Sequence, residues 1–254
     1  SIGIDEFAVR KGHVYKTIVV DLKSGRILHV GQGKAADALA GFWKRVRRKK
    51  LGIKYITTDL SAAFISSVLE NCPNVVHVFD HFHVVKLMNE KLDEIRRAQY
   101  NMEKDINKRK VLKGTRYLLL RNGADIFDEQ YRTRLDNALD MNKPLSQTYY
   151  LKEQLREIWM QPNKQAAEKV MLDWVKQAQE NKVPQLMKMA VTIMAYRTGI
   201  LAWYDCPIST GKAEEGINNK IKVMKRVAYG FRDERYFQLR LYALHDCRIT
   251  PNVG

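Results

Sequence analysis

Two hydrophobic periods divide this chain. Residues 2–79 alternate short β-branched or apolar runs with helical stretches. Ile2–Ala8 reads as a strand, followed by a turn at Lys11-Gly12. His13–Asp21 carries Val14, Thr17, Ile18, Val19 and Val20, which favour a second strand. Lys23-Ser24-Gly25 predicts a hairpin turn and Arg26–Val30 a third strand. Ala35–Lys50 predicts a helix with Ala36, Leu39, Ala40, Trp43 and Val46 on its apolar side. Tyr55–Thr58 is a fourth strand that ends at Asp59, Ala62–Glu70 a short helix, and Asn74–Phe79 a fifth strand. A further helix starts near His83. Such an order predicts an α/β sheet with mixed pairing.

Beyond residue 86 the two-residue period vanishes. Leu151, Leu155, Ile158 and Trp159 form one helical stripe, and Val170, Met171, Trp174 and Val175 another. Breakers at Gly114, Gly123, Pro144, Pro162, Pro184 and Pro207 divide this stretch into short helices. Tryptophans can stack on nucleobases, but at helical spacing they are read as core. Residues 209–245 return to a strong amphipathic helix, with Ser209 or Thr210 as its cap. Gly230 interrupts it, and Tyr236, Leu239, Arg240 and Tyr242 resume the pattern. The predicted organisation is a first core segment at 1–95, a helical block at 96–205 and C-terminal helices at 206–254.

Charge narrows the partners. The chain has 254 residues, 44 Lys+Arg against 28 Asp+Glu, and a net charge of +16. That excess favours a polyanion, and nucleic acid is the commonest. No apolar run is long enough to span a bilayer; residues 189–203 come nearest and are broken by Arg197. Cys72, Cys206 and Cys247 are widely spaced, which fits free thiols in a reducing cytosol. The opening SIGIDEFAVRKG starts inside a strand-like run without Met, so an N-terminal part is expected to precede it.

Chemistry concentrates at AEEGINNKIKVMKRVAYGFRD, residues 213–233. From Glu215, the residues Asn218, Asn219, Lys222 and Arg226 return to one helical side. Ile217, Ile221, Met224 and Ala228 form the opposite, apolar side. Alone, a wet face of Glu and Lys is ordinary. Two distant aspartates change the balance. Asp5 lies within the first strand, where an unpaired carboxylate is costly, and Asp59 at the end of the fourth. If those strands are neighbours, the two converge, and Glu215 would complete an all-oxygen set suited to Mg²⁺. For Asp59 the plain alternative is capping of the helix that follows. Three basic clusters stand out: Lys44–Lys50, Lys104–Lys113, and Lys222, Lys225 and Arg226. The last is expected to contact phosphates.

The segments GIDEFA, TTDLSAAF, DHFHVVK and EEGINNKIKVMKRVAYGF resemble the DDE transposases of bacterial insertion sequences, specifically the ISL-three family. The resemblance implies a ribonuclease-H-like mixed sheet with a large all-helical insertion before the last catalytic helix. It implies Asp5, Asp59 and Glu215 as catalytic, metal-binding residues, with two Mg²⁺ or Mn²⁺ ions. Glu215 is selected over Glu214 because it directly precedes Gly216. Asp80 and His83 match a downstream Asp-x-x-His signature and are read as accessory. Asn218, Asn219, Lys222, Lys225 and Arg226 are expected to bind DNA. The implied activity is strand cleavage at transposon ends followed by transfer through the freed 3′-hydroxyl. The implied partner is double-stranded DNA, with a homodimer or larger assembly on it, in the bacterial cytoplasm near the nucleoid. A ribonuclease-H-like nuclease without transfer and a domesticated DNA-binding protein are the competing readings.

Overall fold

A computed structural model describes residues 1–10, 14–206 and 210–244; the side chains of Arg10 and of residues 210–215 lie outside that description. The Lys11-Gly12 turn, the Ser209 or Thr210 cap and Cys247 therefore fall outside the described residues. The contacts divide the chain into two compact units, Ser1–Asp80 together with the segment from Asp205, and His81–Tyr204.

The first unit is built on five strands: β1 (Ile2–Arg10), β2 (Val14–Asp21), β3 (Ile27–Gln32), β4 (Tyr55–Thr58) and β5 (Val76–Phe79). Their order in the sheet is β3-β2-β1-β4-β5. β1 pairs antiparallel with β2 on one edge and parallel with β4 on the other. β4 and β5 are also parallel. The switch follows from the connections. Short turns return the chain antiparallel, whereas the β3–β4 and β4–β5 links pass through α1 (Ala40–Lys49) and α2 (Ala62–Asn71).

Both faces of the sheet are covered. On one, Ile2, Ile4, Val19 and Ile56 pack against Phe42, Trp43 and Val46 of α1 and against Phe64 and Val68 of α2. On the other, Ile18, Val20, Ile27 and Val30 pack against two C-terminal helices, α11 (Thr210–Val227) and α12 (Glu234–Tyr242). Ile217, Ile221 and Met224 supply the α11 side of that core, and Phe237 and Leu241 the α12 side. Covering on both faces explains why β2 reads as a continuous β-branched run rather than an alternation. A mixed sheet so covered is compatible with a ribonuclease-H-like fold.

Several expectations need correction in detail. The predicted helix from Ala35 begins with a 3₁₀ turn, Ala36–Leu39, before α1. The tighter turn rotates the apolar face, so Ala38 and Phe42 are buried while Ala36 and Ala40 are exposed. Ala228 lies beyond the end of α11 and is exposed. That helix stops where Tyr229 and Gly230 take positive φ, and Gly230 N–H bonds back to Lys225 O at 2.9 Å. On α12 it is Phe237 and Leu241 that are buried; Tyr236 and Leu239 are exposed.

The second unit is helical: α3 (His81–Met102), α4 (Ile106–Gly114), α5 (Arg116–Leu120), α6 (Glu129–Asp140), α7 (Lys143–Leu155), α8 (Lys164–Glu180), α9 (Pro184–Ala195) and α10 (Arg197–Leu201). α3 runs unbroken through residues 95 and 96. Pro144 and Pro184 open helices rather than separating them, because the first turn needs no N–H from them. Trp174 is core, donating its ring N–H to Leu151 O at 2.7 Å. Lys152 is fully buried and its ammonium donates to the carbonyls of Leu119 and Arg121 at 3.1 and 2.8 Å, closing the end of α5. Burial pulls its pKa below the usual lysine value, against the raising effect of Glu153.

Close approach of the 3₁₀ turn to β3 fixes one glycine. A Cβ on Gly31 would lie 2.0 Å from Ala38 O, a backbone atom that cannot swing aside. Gly31→Ala is expected to lose about 1–3 kcal/mol of unfolding free energy. Urea melts of the two proteins measure this, and coincident midpoints would disprove the contact.

Candidate active site

The β1–β4 register brings the two predicted aspartates together. Ile4 is paired with Thr58 across the parallel ladder, and Asp5 and Asp59 are the next residues on their strands. Neighbouring strands are about 4.8 Å apart. Thr58 is in turn paired with Phe79, so Asp80 is the next residue on the third strand of the row. Asp59 thus follows the strand beside β1, and Asp80 the strand one further out.

Asp5 is 8% exposed. Alternation along β1 turns it away from Ile2 and Ile4, onto the face that α11 covers. Its carboxylate accepts from Glu6 N–H at 2.7 Å and from the Asn218 side-chain amide at 2.5 Å. The side-chain oxygen of Asn218, Oδ1, is buried and has no hydrogen-bond partner. A buried acceptor without a donor is unusual. Hard divalent cations take carboxylate and amide oxygens of this kind.

Asp59 is held differently. Its Oδ1 accepts from Ser61 N–H at 2.9 Å, the local turn that opens α2. Its backbone carbonyl accepts from the Thr58 hydroxyl at 2.7 Å, and that hydroxyl lies 2.8 Å from His77 Nε2. With the hydroxyl proton committed to Asp59, His77 donates to Thr58. Burial pushes the His77 pKa down from 6.5 to about 4, so the ring is neutral at pH 7. Asp80 is 2% exposed, and its N–H donates to Thr58 O at 3.2 Å. His83 lies on α3, in the other unit, with its ring edge-on to Phe82.

The α11 residues divide. Asn219, Lys222 and Arg226 are exposed. Lys225 instead donates to Ala8 O on β1 at 2.9 Å, and burial lowers its pKa. Together with Asn218 it ties α11 to the central strand. Glu214 and Glu215 lie on α11, with side chains outside the described residues. Among the described residues, no group of three His, Cys, Asp or Glu side chains is placed to hold a metal.

A family model described as "Transposase", for DDE transposases of the ISL3 group, matches residues 2–241. The chain belongs to this transposase family. It is 36% identical over 245 residues to the transposase for insertion sequence element IS1001 of Bordetella parapertussis, covering 95% of this chain and 60% of that one. It is 30% identical over 257 residues to the transposase for insertion sequence element IS1557 of Mycobacterium tuberculosis, covering 91% of this chain and 56% of the relative. The chain therefore spans 60% or less of the curated relatives it matches. No helix among the described residues is long and apolar enough to cross a membrane.

Sequence reasoning on this chain missed His77 and the bridging role of Asn218. His77 sits in NVVHVF, where nothing marks it apart from its neighbours. Its depressed pKa sets a pH dependence. The unfolded chain binds the His77 proton below 6.5 and the folded chain only near 4. The stabilisation is therefore complete above pH 6.5, lost as pH falls from there, and level again below about 4. His77→Gln keeps a donor and removes the titration. The difference in unfolding free energy between the two proteins should shrink by up to about 3 kcal/mol from pH 7 to pH 4. A constant difference would refute the buried neutral ring.

Proposed function

We propose that this chain is the catalytic domain of an insertion-sequence transposase, cutting DNA strands at transposon ends and joining the freed 3′-hydroxyl to a target. The observation that supports the reading is the parallel β1–β4 register, in which Asp5 and Asp59 each follow the paired residues Ile4 and Thr58, together with the Asn218 bond from α11 to Asp5. In this reading Asp5, Asp59 and Glu215 hold two Mg²⁺ or Mn²⁺ ions. Position 215 is one helical turn before Asn218, whose amide reaches Asp5. Ions held by these residues would supply activation of the attacking water or 3′-hydroxyl and stabilisation of the leaving oxygen. Asp5 is fixed by Glu6 N–H and Asn218, and Asp59 by Ser61 N–H, so neither carboxylate has to be ordered when DNA arrives. Asp80 and His83 serve as accessory groups. Asn219, Lys222 and Arg226 take phosphates, with Asn218 and Lys225 bracing the helix that presents them.

In the same reading the sheet unit is a ribonuclease-H-like core, split by the helical segment as an insertion between β5 and α11. The partners are double-stranded transposon ends and target DNA, and a homodimer or larger assembly forms on them in the bacterial cytoplasm.

Two measurements test this. In cleavage and joining of labelled ends by the full-length protein, Glu215→Gln and Asp59→Asn should abolish Mg²⁺-dependent turnover while thermal melting stays native. Glu214→Gln, about 100° around the helix, should keep most activity. A dead Glu214→Gln with an active Glu215→Gln moves the site by one residue. Activity in all three variants removes the three-carboxylate reading, and cleavage without joining favours a plain nuclease.

Duplex binding measured against salt gives the second test. Each phosphate neutralised contributes about −0.9 to the slope of log K on log salt. Replacing Lys222 and Arg226 together by Ala should flatten the slope by roughly 1–2. An unchanged slope places the phosphates elsewhere.

A further inference from the structure

Among the described residues of β1, β2 and β3, Lys16 is the one cation on the sheet face that carries Asp5. It shares its side of β2 with Ile18 and Val20, which pack under α11 and α12. Its side chain is 3% exposed. The β1–β2 register sets Lys16 opposite Phe7 and Asp5 opposite Ile18. Lys16 and Asp5 are therefore diagonal neighbours, a kind of pair that lies about 7–8 Å apart and within reach of a long side chain. Asp5 is also the only carboxylate that these three strands place on this face.

The ammonium is drawn to the other side. It donates to Glu234 Oε1, in the first turn of α12, at 2.7 Å. Gln32, paired with Lys16 on β3, donates to the same oxygen. The helix that carries Glu234 is set on the sheet nearby. The Asp233 side chain caps it by accepting from Tyr236 N–H at 2.9 Å, and Phe237 meets Phe7 edge-on with ring centroids 6.3 Å apart. A buried ammonium needs an anionic partner. Two carboxylates are within its range, and the one it takes decides the state of the other.

We infer that Glu234 is a positioning residue for the candidate cation site. By holding the Lys16 ammonium against α12, it keeps the Asp5 carboxylate free to ligate a divalent ion. A Lys16 released from Glu234 competes with the ion for Asp5, and its uncompensated charge repels a dication over the same short distance. Paired, the two charges offset each other, and Asp5 keeps its own negative field. The bond also makes the cation site depend on the docking of α12, through a side chain that ligates nothing itself. That Asp5 takes an ion rests on the reading under Proposed function; the pairing of Lys16 with Glu234 does not.

The test is Mn²⁺ binding to the 254-residue chain without DNA, followed by loss of the free-ion EPR signal, so no turnover is required. Glu234→Gln should weaken binding roughly 10- to 100-fold. Glu234→Asp, which keeps the charge but is one methylene shorter, should fall between Glu234→Gln and the unaltered chain. Lys16→Met added to Glu234→Gln should restore the affinity, because it removes the competitor without rebuilding the lost contact. Tyr242→Phe removes a different bond of α12, the one to Val30 N–H at 3.2 Å, and should leave the affinity unchanged. Unchanged affinity in Glu234→Gln overturns the inference. So does a weakening that Lys16→Met fails to restore, which traces to α12 docking alone. In both cases, Mn²⁺ binding that Asp5→Asn abolishes leaves the catalytic reading standing. Binding that survives Asp5→Asn, or none in the unaltered chain, overturns the metal assignment of Asp5 and the inference with it.

Discussion

The first unit depends on the start of β1 being paired on both of its edges. From Ile2 to Ile4 it has an antiparallel partner on one side and a parallel partner on the other, which leaves that stretch no free backbone to shift. Its register fixes which residues face α1 and α2 and which face α11. Ile2 and Ile4 go to one core, and Asp5 goes to the other face, where it would be an error unless partnered. The partner is Asn218, from a helix more than two hundred residues later in the chain. Lys225, two turns further along α11, bonds β1 a second time at Ala8. These two contacts and the Ile217–Ile221–Met224 stripe hold α11 to the sheet at a set height and rotation.

That rotation gives the helix its division of labour. One side is committed to the apolar core. A second meets the central strand through Asn218 and Lys225. The third, with Asn219, Lys222 and Arg226, remains exposed. Positive charge on the exposed side costs little in water and is available to a polyanion. The neutral His77 and the Thr58 hydroxyl do comparable work at the other aspartate. They fix the backbone of Asp59 without placing a second cation beside it.

The helical unit divides its tryptophans in a similar way. Trp174 is satisfied within the core, whereas the Trp159 ring nitrogen is left without a partner. The two look alike in sequence, each one step in a helical stripe. Their roles separate only when the neighbouring helices are in position.

Much of the architecture was legible in the amino-acid order because it is set by local periods. The β-branched run of β2, the crossover helices and the amphipathic stripe of α11 each declare themselves within one or two turns. The fourth strand's bounds, Tyr55–Thr58, agree to the residue because Asp59 opens a turn immediately after it. The opening of the 3₁₀ turn was not legible; it packs on β3 at Gly31, where Ala38 O comes too close for a Cβ. The helix-opening prolines read as breaks in sequence because a proline's effect depends on whether the N–H it lacks would have had a partner. At the site, the placement of Asp5 within the first strand and of Asp59 at the end of the fourth came from sequence, but the neighbouring of those strands came from the sheet order. Asn218 as the bridge, His77 as the buried support and the Lys16–Glu234 pair came only from tertiary structure. Each depends on a distance between residues far apart in the chain, and no local period encodes such a distance.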